Sequence, residues 1–326
     1  MKQTIVHLNV ALAAFLAIFA SQALAQTQVP NASTNFGPAV ATDGNYAYLA
    51  WVDSATSDVY FSTFYTSTLE FGDGVPVSGT RSNGTTWTAQ SSAAPAWSYD
   101  GENFYLIWKG LSDNNLFWSE YSDGAWSQQQ LIEGSGWTAG TSVAPAASFY
   151  SWPVTAYWKG ASSSKVWVSN LDDLSLGWDS ETVVSGLSTN LTPGIESAPN
   201  ASSSYAVFIT NTSNVVVGSG HTVSGSGWTA ESSAGPAATL DANYNDVVFW
   251  KGLSGTSIWY SFNTGTALGY GGPPVWSKQA TVSGAATDQA PSVANGNGPS
   301  VAMMILAWKK AGASSVWYMN ANKLPE

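Results

Sequence analysis

Short apolar runs, each a few residues long, alternate along this chain with clusters of Gly, Pro, Asp, Asn and Ser. The stretch from Trp87 to Trp126 shows the unit. It opens at Ala94-Pro95-Ala96 and continues with Phe104-Tyr105-Leu106-Ile107-Trp108, which ends in Lys109-Gly110. Next come Leu116-Phe117-Trp118, ending in Ser119, and an Asp123-Gly124 turn before Trp126. None of these runs is long enough for a helix. All are aromatic-rich or bounded by turn residues, so the pattern predicts strands.

The unit recurs. Aligned on its proline it stands at Pro38, Pro95, Pro145, Pro199, Pro236 and Pro291, with the fourth copy degenerate. The second run ends in Trp51, Trp108, Trp158, Trp250 and Trp308, with Ile209 in the fourth copy. Lys follows as Lys109, Lys159, Lys251 and Lys309. The third run reads Val59-Tyr60-Phe61-Ser62, Leu116-Phe117-Trp118-Ser119, Val166-Trp167-Val168-Ser169, Ile258-Trp259-Tyr260-Ser261 and Val316-Trp317-Tyr318-Met319, but only Val216-Val217-Gly218-Ser219 in the fourth copy. A fourth element carries Trp126, Trp178 and Trp276.

Four strands at this period describe a blade of a β-propeller. A blade buries both faces against its neighbours, so consecutive aromatics such as Trp259-Tyr260 are expected. The predicted fold is all-β: a six-bladed propeller of four-stranded antiparallel blades. A flat solenoid would need capping repeats, and neither end of the chain resembles one. The last repeat lacks a fourth strand, and Gln26-Thr27-Gln28-Val29-Pro30 precedes the first proline. The N-terminal strand is therefore expected to close the last blade.

Lys2, the apolar run over residues 10–20 and the small residues Ala23-Leu24-Ala25 form a secretory-signal pattern, too short to span a bilayer. The expected organisation is a signal peptide over residues 1–25 and a single propeller domain over 26–326. The product should be exported: secreted, or periplasmic in a Gram-negative bacterium. There is no cysteine, so the domain must rest on its core. Acids outnumber bases 21 to 10, which argues against nucleic acid or an anionic membrane as partner. Asn-x-Ser/Thr sequons at Asn31, Asn83, Asn190, Asn200 and Asn211 would accept glycans only on a eukaryotic secretory route.

The combination of Ala-Pro-Ala, a strand ending in Trp-Lys-Gly, a Trp-Tyr-Ser-like strand and a turn before Trp resembles the lectin-type tandem-repeat β-propellers of bacteria and fungi. It is also similar to the wider sialidase-like propellers with Asp-box turns, to which Ser119, Asp123, Gly124 and Trp126 correspond with Asp and Gly adjacent instead of separated. The resemblance covers almost all of the chain after residue 25, and implies carbohydrate binding.

Catalysis has few groups to work with. Enzymes of the sialidase family hold the substrate carboxylate with three arginines, whose forks match it bidentately. This chain has one, Arg81, so the resemblance does not carry sialidase activity. Beyond residue 25 the only histidine is His221, which leaves no Ser-His or Cys-His pairing and no transition-metal set. Asp100 with Glu102 and Asp172 with Asp173 are carboxylate pairs by proximity, read either as a glycosidase pair or as turn residues. No cofactor is expected. Oxygen-rich Asp113-Asn114-Asn115 and Asp172-Asp173 leave calcium open, although neither spacing matches a known loop.

Binding is easier to build, since an indole stacks on a sugar's C–H face while polar groups bond its hydroxyl rim. One candidate set is Trp108-Lys109, Trp158-Lys159 and Trp250-Lys251. The Trp reads as blade packing or as a stacking platform, and the Lys emerges at a strand end. The other set is Trp87, Trp137 and Trp228, in the connections between blades, read as binding or as packing. The expected function is a non-catalytic, multivalent glycan-binding protein with sites at blade junctions, its partners glycans or a cell-surface polysaccharide. The alternatives are a propeller scaffold for protein–protein contact or adhesion, and, third, a glycoside hydrolase.

Overall fold

The computed structural model describes residues 25–100, 102–149, 154–172, 177–195, 206–209, 213–218, 221–241, 243, 245–265, 274–297 and 302–325. The signal pattern over residues 1–24, Pro199 and the sequons at Asn200 and Asn211 lie outside them. No helix among the described residues is long and apolar enough to cross a membrane.

Antiparallel sheets surround a central axis. Each innermost strand starts just after a Pro and is rich in small residues, because neighbouring sheets converge there. Ala39–Thr42 lies beside Ala96–Tyr99, followed by Ala146–Phe149, Gly194–Ile195, Ala237–Leu240 and Ser292–Asn297, which returns to Ala39–Thr42. One mouth of the axial channel is a cavity of about 100 Å³ ringed by Pro38, Pro95, Pro145, Pro193, Pro236 and Pro291. Pro193, six residues before Pro199, thus holds the fourth copy's place in the ring.

The second strand is buried along its whole length in Ala47–Val52, Phe104–Lys109 and Asp246–Lys251. Its terminal Trp51, Trp108, Trp158, Trp250 and Trp308 are at most 2% exposed and fill the space between sheets. The third strand alternates, so Val59, Leu116, Ile258 and Val316 are fully buried while Tyr60, Phe117, Trp259 and Trp317 next to them are half-buried. Its serine then ties the chain beyond the outer turn. Ser62, Ser119, Ser169 and Ser261 donate from Oγ to the carbonyls of Gly72, Ser127, Asp179 and Ser277, at 2.7–2.9 Å.

Among the described residues, the expectation of a six-bladed propeller with a degenerate fourth copy is corrected to five blades, with the fourth copy forming a reduced sheet. The reduced sheet comprises Gly194–Ile195, Ala206–Ile209, Val216–Gly218 and His221–Thr222, strands of two to four residues. The fourth copy has lost the aromatic run ends that give the other blades their apolar volume, so it has less to bury and pairs over a shorter length. Nor are the full blades uniformly four-stranded. Val75–Pro76, Gln130–Leu131 and Thr182–Ser188 pair with the third strands Val59–Tyr65, Leu116–Ser122 and Lys165–Asp172, beside the short fourth strands. In the second blade Asp123 and Gly124 both have positive φ, 52° and 80°, and fold the chain back within two residues.

The strand Gln26–Ser33 pairs antiparallel with Ser315–Asn320 and completes the sheet of Ser292–Asn297 and Ala302–Lys309. Val29 and Ala32 on it are 0% and 4% exposed. The first described strand thus supplies the outer edge of the last blade.

Candidate functional site

Three small hairpins link successive blades: Ser78–Thr80 with Thr86–Thr88, Glu133–Gly134 with Trp137–Thr138, and Ser224–Gly225 with Trp228–Thr229. In each, a Trp faces a Gly across the ladder: Trp87 with Gly79, Trp137 with Gly134, Trp228 with Gly225. The glycine is required because the indole lies over it; a Cβ at any of the three would run into the indole Nε1. The other side of each indole stacks on the Trp that ends the second strand. The pairs Trp87–Trp108, Trp137–Trp158 and Trp228–Trp250 all have centroids 6.3 Å apart, with planes within 8° of parallel. Trp87 is 4% exposed, whereas Trp137 and Trp228 are half-buried. The two candidate sets are therefore brought together as tryptophan pairs, and Trp87 is packed.

The lysines sit elsewhere in this arrangement. Lys109, Lys159 and Lys251 are each 8% exposed. Their Nζ atoms donate to Ser92, Ser142 and Ser233 Oγ at 2.7–2.8 Å and to the carbonyls of Gly110, Gly160 and Gly252. Lys109 also donates to the Asp113 carbonyl at 2.7 Å. Burial pulls the Lys109 ammonium below its ordinary pKa, opposed by the charge of Asp113. In the last blade the partner is a carboxylate, and Lys309 bonds Asp288 at 2.8 and 2.9 Å. The partner always stands three residues before the proline: Ser92, Ser142, Ser233 and Asp288. Sequence reasoning missed that spacing, although it was there to read. These lysines tie the end of the second strand to the loop that enters the blade.

Of the two carboxylate pairs, only Asp100 with Glu102 lies wholly within the described residues. Asp100 is 1% exposed; its Oδ1 accepts the backbone N–H groups of Glu102 and Asn103, and its Oδ2 accepts the Tyr105 hydroxyl at 2.7 Å. It holds a turn, as Asp241 does with the N–H groups of Asn243 and Asn245. Asp113 Oδ1 accepts the Asn115 N–H, and Asp173 lies outside the described residues. No group of three or more His, Asp or Glu side chains comes together among the described residues. Arg81 and His221 are exposed.

Two open pockets lie on the outer rim. One, of about 590 Å³, is lined by Trp228, Trp259, Trp276, Lys278 and Gln279 with Ser226 and Gly227. The other, of about 480 Å³, is lined by Phe117, Trp118, Gln128, Gln129, Gln130, Leu131 and Glu133 of one blade and by Gly177 and Trp178 of the next. Trp178 and Trp276 are each 8% exposed, and their indole N–H groups have no hydrogen-bond partner among the described residues. Of the sequence-derived site residues, only Trp228 lines either pocket. Trp259, Trp276, Lys278 and Gln279 were not singled out. The alternation of the third strand was the one available signal for Trp259, since Ile258 and Tyr260 beside it point inward.

No family model and no curated protein matches the sequence. Solved structures share the fold. The SapL1 lectin in complex with alpha methyl fucoside is 11% identical with a TM-score of 0.53, covering 90% of this chain and 98% of that one. The intramolecular trans-sialidase from Ruminococcus gnavus in complex with oseltamivir carboxylate is 10% identical with a TM-score of 0.59, covering 94% and 99%. The leech intramolecular trans-sialidase complexed with 2,7-anhydro-Neu5Ac is 11% identical with a TM-score of 0.58, covering 86% and 65%. At these identities the likeness is one of fold.

Proposed function

We propose that this chain is a carbohydrate-binding propeller that takes saccharides in pockets on its outer rim. The observation that carries the reading is the pocket of about 590 Å³ in which Trp228, Trp259 and Trp276 stand beside Lys278 and Gln279. Indole faces suit the C–H faces of a pyranose, and side-chain amide, ammonium and indole N–H groups suit its hydroxyl oxygens. That a lectin and sialidases share the fold supports the reading, and the lone, exposed Arg81 turns it away from sialidase chemistry. Two rim pockets on one rigid ring would add avidity on a polyvalent surface.

A glycan array probed with the wild-type protein and with Trp259→Ala tests this. Binding by the wild type and its loss in a variant with an unchanged melting curve is the expected result. An array on which the wild type binds nothing overturns it.

A scaffold for protein contact is the second reading. It rests on Tyr46 and Tyr65, each 55% exposed, and Leu69, 60% exposed, on the first blade. Pull-downs from cell-envelope extracts with and without free sugar separate the two, because sugar competes only with the first.

A further inference from the structure

The two rim pockets are built at corresponding positions of two blades. Trp259 pairs with Thr281 and Tyr260 with Ala280; Phe117 pairs with Leu131 and Trp118 with Gln130. Ser261 and Ser119 each donate to the serine that follows the outer Trp, Ser277 and Ser127. The two registers therefore superpose Trp276-Ser277-Lys278-Gln279 on Trp126-Ser127-Gln128-Gln129, and Ser283 on Glu133. At the matched lining position Gln128 becomes Lys278, and the blade position of Glu133, which lines only its own pocket, is held by Ser283. Among the described lining residues, one pocket holds a cation and no acid, and the other an acid and no cation.

Lys278 is unlike the lysines of the Trp-Lys-Gly ends. Those are buried and spend their donors on Ser hydroxyls and backbone carbonyls. Lys278 is exposed, and among the described residues its ammonium has no bonded partner. It stands beside Trp276, whose buried indole N–H is also unpartnered. Lys278 thus stands as the exposed donor at the pocket wall, with Trp259 and the edge of Trp228 beside it. An unpartnered positive charge beside an indole suits a sugar ring that carries a carboxylate, since a charge-assisted bond to an anion is stronger than one to a hydroxyl.

We infer that the pocket of Trp228, Trp259, Trp276 and Lys278 selects saccharides bearing a carboxylate, as in uronic acids, and that the pocket beside Glu133 does not. This inference rests on the carbohydrate-binding reading and narrows it to one site and one ligand class.

The test is calorimetric titration with an oligogalacturonate and with the same oligosaccharide fully methyl-esterified, which keeps the ring skeleton and removes the charge. The wild type is expected to bind the acid about tenfold more tightly than the ester. Lys278→Gln, which restores the residue of the other pocket, should erase that difference. Trp259→Ala should lose both ligands. Raising the salt concentration should weaken the acid and spare the ester. Equal binding of acid and ester by the wild type, or a preference that survives Lys278→Gln, overturns the inference. If neutral glycans still bind an array through Trp259 in that case, the carbohydrate-binding reading stands without it. If neither titration nor array shows binding, both fall.

Discussion

Trp228 and Trp250 lie face to face, with centroids 6.3 Å apart and planes within 6° of parallel, and Gly225 closes off the edge of the Trp228 indole. The same unit recurs as Gly79–Trp87–Trp108 and Gly134–Trp137–Trp158. It ties each connecting hairpin to the blade it enters. One member of each pair is core, and the other carries the hairpin's hold on it.

Gly225→Ala should therefore act through Trp228. The new Cβ overlaps Nε1, so the indole must leave its stack on Trp250. Overpacking of this kind costs about 1–3 kcal/mol. A chemical denaturation midpoint that falls while the denaturant slope stays constant is the expected result, together with weaker binding at the adjacent pocket. An unchanged midpoint would mean that the hairpin carries no strain into the blade.

The buried lysines should prove structural. Lys159→Met keeps the stem's apolar packing but removes the bonds to Ser142 Oγ and the Gly160 carbonyl, leaving that carbonyl short of a donor. Stability should fall by about 1–3 kcal/mol, and glycan binding at the pocket of Trp259 should be unchanged. A loss of binding with no change in melting would instead place Lys159 at a ligand.

The repeat period carried much of the fold onto the page early, because packing between blades demands the same aromatic at the same place in each copy. The closing strand was legible for the same reason: the last repeat lacked a fourth strand and Gln26–Ser33 had no other partner. The fourth copy was not. With its aromatics gone, Pro193 and Pro199 compete as markers; Pro193 lines the ring around the axis, and Pro199 lies outside the described residues. The site was legible in part. Trp228 was found as a Trp in a Gly-rich connection. Trp276 and Lys278 were not, because which side a short outer strand presents depends on its turn and register and not on its own composition. Trp87 and Trp228 are both followed by Thr-Ala, yet Trp87 is buried and Trp228 half-buried, a difference that neighbouring blades set.

Burial, aided by the charges of Tyr121, Asp43 and Tyr46, pushes the Tyr48 phenol up to about 12. Its folded pKa lies above its ordinary value of 10.0, so the neutral phenol is favoured by folding. That contribution is complete below pH 10 and is lost as the pH rises through about 12. Denaturation midpoints should fall steeply across that interval, and Tyr48→Phe should flatten the fall. A variant with the wild-type slope would assign the effect to other buried phenols, such as Tyr105 and Tyr318, which burial also raises.

Ring closure rests on one strand, and its removal is the most severe change available outside the tryptophans. Gln26, Thr27 and Gln28 pair with Met319, Tyr318 and Trp317, and Val29 lies fully buried in the cluster that contains Leu49, Trp51, Ile305 and Tyr318. Without this strand, the last blade loses its outer edge and the first blade loses a packing surface, so the damage reaches both sides of the closure. Deleting residues 26–33 should lower the melting temperature sharply and expose the edge of Ser315–Asn320 to pairing with other chains. Val29→Ala isolates the packing part, at about 1–2 kcal/mol, and should leave the protein monodisperse. Size-exclusion chromatography with thermal melts reads both effects. A deletion that melts like the wild type would show that the ring holds without its closing strand.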